Sequence, residues 1–198
     1  EAVGQAKTEV IASSPYFVPG VKGMQFLKKL RDRGVKVTVL TNSLGSTDEP
    51  LVHTGYSRYR EQMLAEGIEL YELSSARVKH NERPFLFNSS LGRLHAKLFV
   101  IDRKTSFIGS MNLDPRSATV NTEFGAVINS PELARELIRV IDIDRLQSAY
   151  RVRLAKSGHG VEWLGLSDDK EVVLDTEPDA SWWLRFKAWL LSPLAPEE

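Results

Sequence analysis

Three short apolar runs, at residues 8–12, 35–40 and 68–73, alternate with two stretches of helical periodicity, and this alternation constrains the chain more than any other feature. Runs of that length, closed by Ser-Ser-Pro or opened after Gly34 and Gly67, predict buried strands. Between the first two, Val21, Met24, Leu27 and Leu30 recur at the spacing of one helix face over 21–33. A second helix is predicted over 51–66, ending at Gly67. Strand and helix in strict alternation imply an α/β layer with parallel strands.

From residue 93 the pattern changes. Apolar runs at 93–101 and 105–111 flank the turn Asp102-Arg103-Lys104 and predict a hairpin. Another strand is predicted at 123–129. Ser130-Pro131-Glu132 then opens a helix with a serine N-cap and proline in the first helical position, running to about Tyr150. Short strands follow at 161–166 and 171–175, and a last helix at 182–191. The reading is one α/β domain over 1–198, a mixed β-sheet flanked by helices on both faces, with 156–198 as a C-terminal extension.

Composition excludes several functions. With no cysteine, there is no disulfide framework, no thiolate metal site and no cysteine nucleophile. Charges balance at 26 basic and 26 acidic residues, which disfavours a dedicated nucleic-acid binder. The balance is uneven along the chain: 77–116 carries eight basic and three acidic residues, whereas 157–198 carries three and nine. A basic middle in a neutral protein suits a small phosphate-bearing substrate better than a long polyanion. No apolar run reaches the roughly 18 residues of a membrane-spanning helix. The opening Glu-Ala-Val-Gly, without methionine or signal peptide, reads as a cut inside a longer polypeptide.

The chemistry concentrates in His95-x-Lys97-x4-Asp102. Two apart in a strand, His95 and Lys97 project from one face. An ammonium can hold non-bridging phosphate oxygens while an imidazole forms a phosphoryl intermediate or shuttles a proton. Asp102, at an odd offset on the strand end, is expected outside the pocket despite belonging to the motif. Ser110 and Asn112 repeat the same-face device; the Asn112 amide can donate to phosphate, and the Ser110 hydroxyl to phosphate or to an imidazole. Glu123 offers a carboxylate to fix the tautomer of His95. Tyr16 and Phe17, after the first strand, either line a headgroup pocket or pack. His53, Tyr56 and Arg58 are expected at a solvated helix start.

H-x-K-x4-D followed closely by G-S-x-N is the motif of the phospholipase D superfamily. Ser14-Pro-Tyr-Phe-Val-Pro-Gly20, Gly109-Ser-Met-Asn-Leu-Asp-Pro-Arg-Ser117 and Asn121-Thr-Glu-Phe124 resemble, more narrowly, the C-terminal half of bacterial cardiolipin synthases. The resemblance implies a phospholipase D-like fold forming one half of a pseudo-twofold pair. It also implies a phosphatidyltransferase working through a phospho-histidine, with His95, Lys97, Asp102, Asn112 and Glu123 in the catalytic set. Lys97, Ser110, Asn112 and Tyr16 would contact substrate. No metal or other cofactor is needed. Partners would be phospholipids, a membrane surface at the bacterial inner membrane, and no nucleic acid.

One departure matters. The family's site joins two such motifs around one phosphorus, and His53, His80 and His159 each lack a lysine two residues on. The second motif is expected from an N-terminal half of the parent protein or from a second copy. The motif alone leaves open whether His95 is nucleophile or general acid; tandem members point to the acid. Two other readings stay open: a homodimeric phosphodiesterase or nuclease, and an inactive lipid-binding half. The last helix, with Trp182, Trp183, Phe186, Trp189 and Leu190 on one face, either packs against another domain or lies in a membrane interface.

Overall fold

The computed structural model describes residues 2–80, 87–88, 93–114, 122–167 and 170–195, except the side chains of 78–80, 87–88, 93, 143–147 and 167. Strands β1 (Glu9–Ser13), β2 (Lys36–Asn42) and β3 (Glu69–Leu73) are parallel neighbours. Helix α1 (Gly20–Asp32) joins the first two; α2 (Pro50–Ser57) and α3 (Arg60–Ala65) join the next two. These are the crossovers that parallel strands require. The 51–66 helix is therefore broken. A tight step, in which Tyr59 N–H bonds Tyr56 C=O at 2.9 Å, turns both Tyr56 and Arg60 into the protein.

Helix α4 (Ser75–His80) follows β3, and β4 (Phe87–Asn88) pairs with β5 (Arg93–Leu94) in a separate two-stranded ribbon. Strands β6 (Leu98–Ile101), β7 (Thr105–Gly109) and β8 (Gly125–Asn129) then run antiparallel beyond β1. Their hairpin turn has Asp102 and Arg103 at φ 51° and 56°, the left-handed values of a type I′ connection. Helix α5 (Pro131–Gln147) starts as expected, the Leu133 N–H donating to the Ser130 hydroxyl at 3.2 Å. It ends earlier than the sequence suggests. Residues Ala149–Leu154 form β9, which pairs with β3.

Residues 156–198 extend the same sheet with β10 (Val161–Ser167) and β11 (Lys170–Leu174), then give α6 (Trp182–Leu191). The nine-stranded order is β11-β10-β9-β3-β2-β1-β6-β7-β8. Both faces are covered, as the sequence implies. Val10, Val37, Val39 and Leu70 meet Met24, Leu30 and Met63 on one side. Ile11, Leu40, Leu98 and Val100 meet Ala134, Ile138 and Ile141 of α5 on the other.

Candidate active site

The C-terminal ends of β1, β2 and β3 share one sheet edge, the crevice where open α/β sheets bind ligands. Antiparallel pairing brings the start of β6, the end of β7 and the start of β8 to the same edge: Ser13 faces Leu98, Leu98 faces Ile108, and Gly109 faces Gly125. All three motif segments lie just beyond these strand ends. The expectation that they sit within strands is corrected: His95, Ala96 and Lys97 form an irregular link between β5 and β6, and Ser110 to Asn112 and Glu123 also lie outside the ladder.

The cause of the break before β6 is Asn42. Its buried carboxamide accepts from the Leu94 N–H at 2.9 Å and donates to the Leu94 C=O at 3.4 Å, taking the place of a ladder partner. The residue preceding His95 is thereby fixed to the end of β2. Asn42 was missed from sequence, although a polar residue closing an apolar strand was the available signal.

His95 is exposed and Lys97 is part-buried. The Lys97 ammonium donates to the His95 C=O at 2.9 Å. Burial lowers its pKa, and the charges of Glu123 and Asp48 oppose that shift. Asp48, in the loop after β2, accepts the Tyr16 hydroxyl at 2.9 Å.

Ser110 bridges the ends of β7 and β8. Its hydroxyl donates to Glu123 and accepts the Phe124 N–H at 3.1 Å. In this arrangement the hydroxyl proton is directed at Glu123. The close approach needs glycine on both sides: a Cβ on Gly109 would lie 2.5 Å from the Phe124 C=O oxygen, and one on Gly125 2.3 Å from the Phe107 ring.

The 14–18 loop holds the Asn112 segment. Leu113 N–H donates to the Ser14 hydroxyl at 3.1 Å, and Val18 N–H to the Leu113 C=O at 2.7 Å. The Asn112 carboxamide oxygen is buried and has no hydrogen-bond partner among the described residues. Asn112 also lines a cavity of about 260 Å³ beneath α1, otherwise walled largely by apolar side chains including Val18, Phe26, Leu27, Phe99 and Met111. Asn121 and Ser117, quoted in the motifs, lie outside the described residues.

Asp102 is placed away from this edge, at the far end of β6, which corrects its place in the catalytic set. Its carboxylate accepts the backbone N–H groups of Lys7, Thr8 and Glu9 at 2.8 to 3.1 Å and pins the start of β1. Slight burial pushes its pKa up, but these donors outweigh it and bring it to about 2, against an ordinary 3.8. A depressed carboxyl pKa adds stability above the unfolded value and loses it as pH falls through the folded one. Replacing Asp102 by Ala should cost on the order of 1–2 kcal/mol at pH 7, after allowance for solvent screening. Urea melts at stepped pH should show the gap closing between about pH 4 and 2. A gap that stays constant across that window would count against this role.

His53 and Tyr56 are not at a solvated helix start. They are buried with Arg60 and Glu72 behind the site edge. Arg60 donates to Glu72 at 2.7 Å and to Glu177 at 2.5 Å, and lies 2.7 Å from His53 Nε2. Tyr56 and Trp163 both donate to Glu72 at 2.9 Å. Burial pushes Glu177 up, but Arg60 and His53 outweigh it and hold its pKa at about 2. His53, Glu72 and Glu177 are clustered closely enough to hold a metal ion, but the Arg60 guanidinium already stands among them as the cation.

Residues 1–145 match the family described as "Cardiolipin synthase, PLD-like domain". The chain belongs to this family. Across its whole length it is 39% identical to cardiolipin synthase C of Escherichia coli, of which it covers 42%. It is 30% identical over 63% of its length to cardiolipin synthase B of the same organism, covering 26% of that protein. The chain thus spans about two fifths of the length of curated relatives that it matches from end to end. Its fold is similar to that of Nuc, a phospholipase D family member from Salmonella typhimurium, with TM-score 0.59 and 24% identity over 77% of this chain and 86% of that one. It is also similar to phosphatidylserine synthase of Haemophilus influenzae, with TM-score 0.53 and 16% identity over 74% and 34%. Family membership agrees with the H-x-K-x4-D reading, and the mixed sheet with helices on both faces agrees with the predicted fold.

Proposed function

We propose that this chain supplies one half of the active site of a phosphatidyltransferase of phospholipid synthesis, of cardiolipin synthase type. In this reading an imidazole nitrogen attacks phosphorus as the bond to the leaving alcohol breaks, and a second histidine protonates that alcohol. The acceptor hydroxyl then gives its proton to the second histidine and attacks phosphorus, and the phosphorus–nitrogen bond breaks. His95 supplies one imidazole. The other comes from a second H-x-K motif, in the remainder of the parent protein or in another copy of the chain. Lys97 and Asn112 hold the non-bridging oxygens, Ser110 and Glu123 hold the β7–β8 wall, and Tyr16 orients Asp48. The enzyme would work at the inner membrane surface.

The observation that favours lipid over nucleic acid is the apolar cavity reached from Asn112. Nucleic acid offers no acyl chain to fill it, whereas an acyl chain of a donor whose phosphate rests on Asn112 would bury methylenes there, each worth about 0.8 kcal/mol. Filling the cavity with Leu27→Trp in the full-length enzyme should lower the ratio of long-chain to short-chain donor rates about tenfold, that is about 1.4 kcal/mol. The assay is transfer from phosphatidylglycerol with acyl chains of graded length. An unchanged ratio would remove the cavity from the account. Salt-sensitive cleavage of DNA without lipid transfer would replace this reading by the nuclease one.

A further inference from the structure

Helix α6 presents an apolar face that nothing in the described chain covers. Trp182 and Trp189 are 68% and 71% exposed, and Trp183 and Leu190 also stand in solvent. These side chains form one slab. Phe186 stacks at 5.6 Å on both Trp182 and Trp183, and lies 6.0 Å from Trp189. Three of the chain's four tryptophans are in this ten-residue helix, and the fourth, Trp163, is buried. The helix is capped by Ser181, whose hydroxyl accepts the Leu184 N–H at 3.2 Å. It lies against α2, and Arg58 just after α2 donates to the Ser192 C=O.

We infer that this face is a membrane-interface anchor, and that its occupant is a lipid surface. Three observations favour lipid over a protein surface. First, both interior clusters of this chain are mainly aliphatic, whereas the slab is tryptophan and phenylalanine, the side chains that partition to the boundary between headgroups and acyl chains. Second, Lys187 sits 5.4 Å over the Trp183 ring and Arg185 is on the same helix, the cation-beside-aromatic pattern that suits anionic headgroups. Third, α2 starts two residues after Asp48, the residue that accepts Tyr16 and bears on Lys97. A slab carried on α2 therefore rides on the helix that leaves the rim of the site. No described helix is long and apolar enough to cross a membrane, so α6 would lie in the interface plane.

The anchor does not depend on the transfer reaction, and the test separates the two. The full-length protein is floated with vesicles of phosphatidylethanolamine and phosphatidylglycerol, and its turnover is measured separately on a soluble short-chain donor. The wild type should float, more strongly as the phosphatidylglycerol fraction rises. The triple variant Trp182→Ala, Trp183→Ala, Trp189→Ala should lose at least about tenfold in partitioning, because binding scales with buried apolar area. Its soluble turnover reports on the active site independently. Brominated acyl chains should quench the wild-type tryptophan emission, a readout that needs no variant. Absence of flotation or of quenching overturns the proposal. So does a triple variant that floats normally but changes its solution mass or melting temperature, since the slab would then cover protein.

Discussion

Replacing His95 by Ala is expected to abolish transfer by the full-length enzyme, a loss of at least about ten-thousand-fold, while its melting temperature stays within about 2 °C of wild type. The two halves of this expectation have separate grounds. The loss follows from the proposed chemistry: without the imidazole, one of the two proton or phosphoryl carriers that it requires is gone, and water cannot stand in for a positioned group. The intact fold follows from structure, because the His95 side chain is exposed and it is its backbone C=O that receives Lys97. The segment is held by Leu94, through Asn42, and not by the ring. Transfer assays paired with thermal melts decide the matter. Turnover within about a hundredfold of wild type would remove His95 from the proposed mechanism, and a collapsed melt would make it a structural residue.

The meeting of the motif segments at one sheet edge was legible from sequence because they are compact and flank adjacent strands. His95 and Lys97 stand at the start of β6, and Ser110 and Asn112 at the end of β7, joined by a hairpin whose turn residues announce it. Strand periodicity nevertheless implies a more regular backbone than His95 to Lys97 adopts. Asn42 binds the Leu94 backbone, and the pattern marks it only as a polar residue closing an apolar strand, without naming the segment that it holds. Strand β9 was hidden differently. Ile138 and Ile141 carry a helical period right up to it, but Tyr150-Arg-Val-Arg-Leu154 alternates with period two and could have been separated.

The buried ionic group was the least legible feature. Arg60, Glu72 and Glu177 are ordinary surface residue types, and Arg60 is 12 and 117 positions from its two carboxylate partners. Only the joining of β3, α3 and the segment after β11 brings them together. Sequence patterns report which face of an element is apolar, not which charge on it has a partner elsewhere.

That network supplies the second large expected effect. Glu72→Leu should destabilise the full-length protein by about 3–5 kcal/mol, a large share of the stability a domain has to lose. The carboxylate is fully buried and accepts from Arg60, Tyr56 and Trp163 together. Its removal leaves three buried donors short of an acceptor and the Arg60 charge balanced by Glu177 alone. The double variant Arg60→Met, Glu72→Leu should recover part of that loss, because it removes the deeply buried guanidinium and leaves Glu177, which is less buried and still faces His53. A further consequence follows from Glu177, which ties the segment leading to α6 onto Arg60. Loosening the network should therefore speed proteolysis around Arg185 and Lys187 before global unfolding. Urea melts of the single and double variants, with timed trypsin digestion, test both points. A single-variant loss below about 1 kcal/mol, or a double variant less stable than the single, would show that Glu72 is not the centre of the fold's polar core.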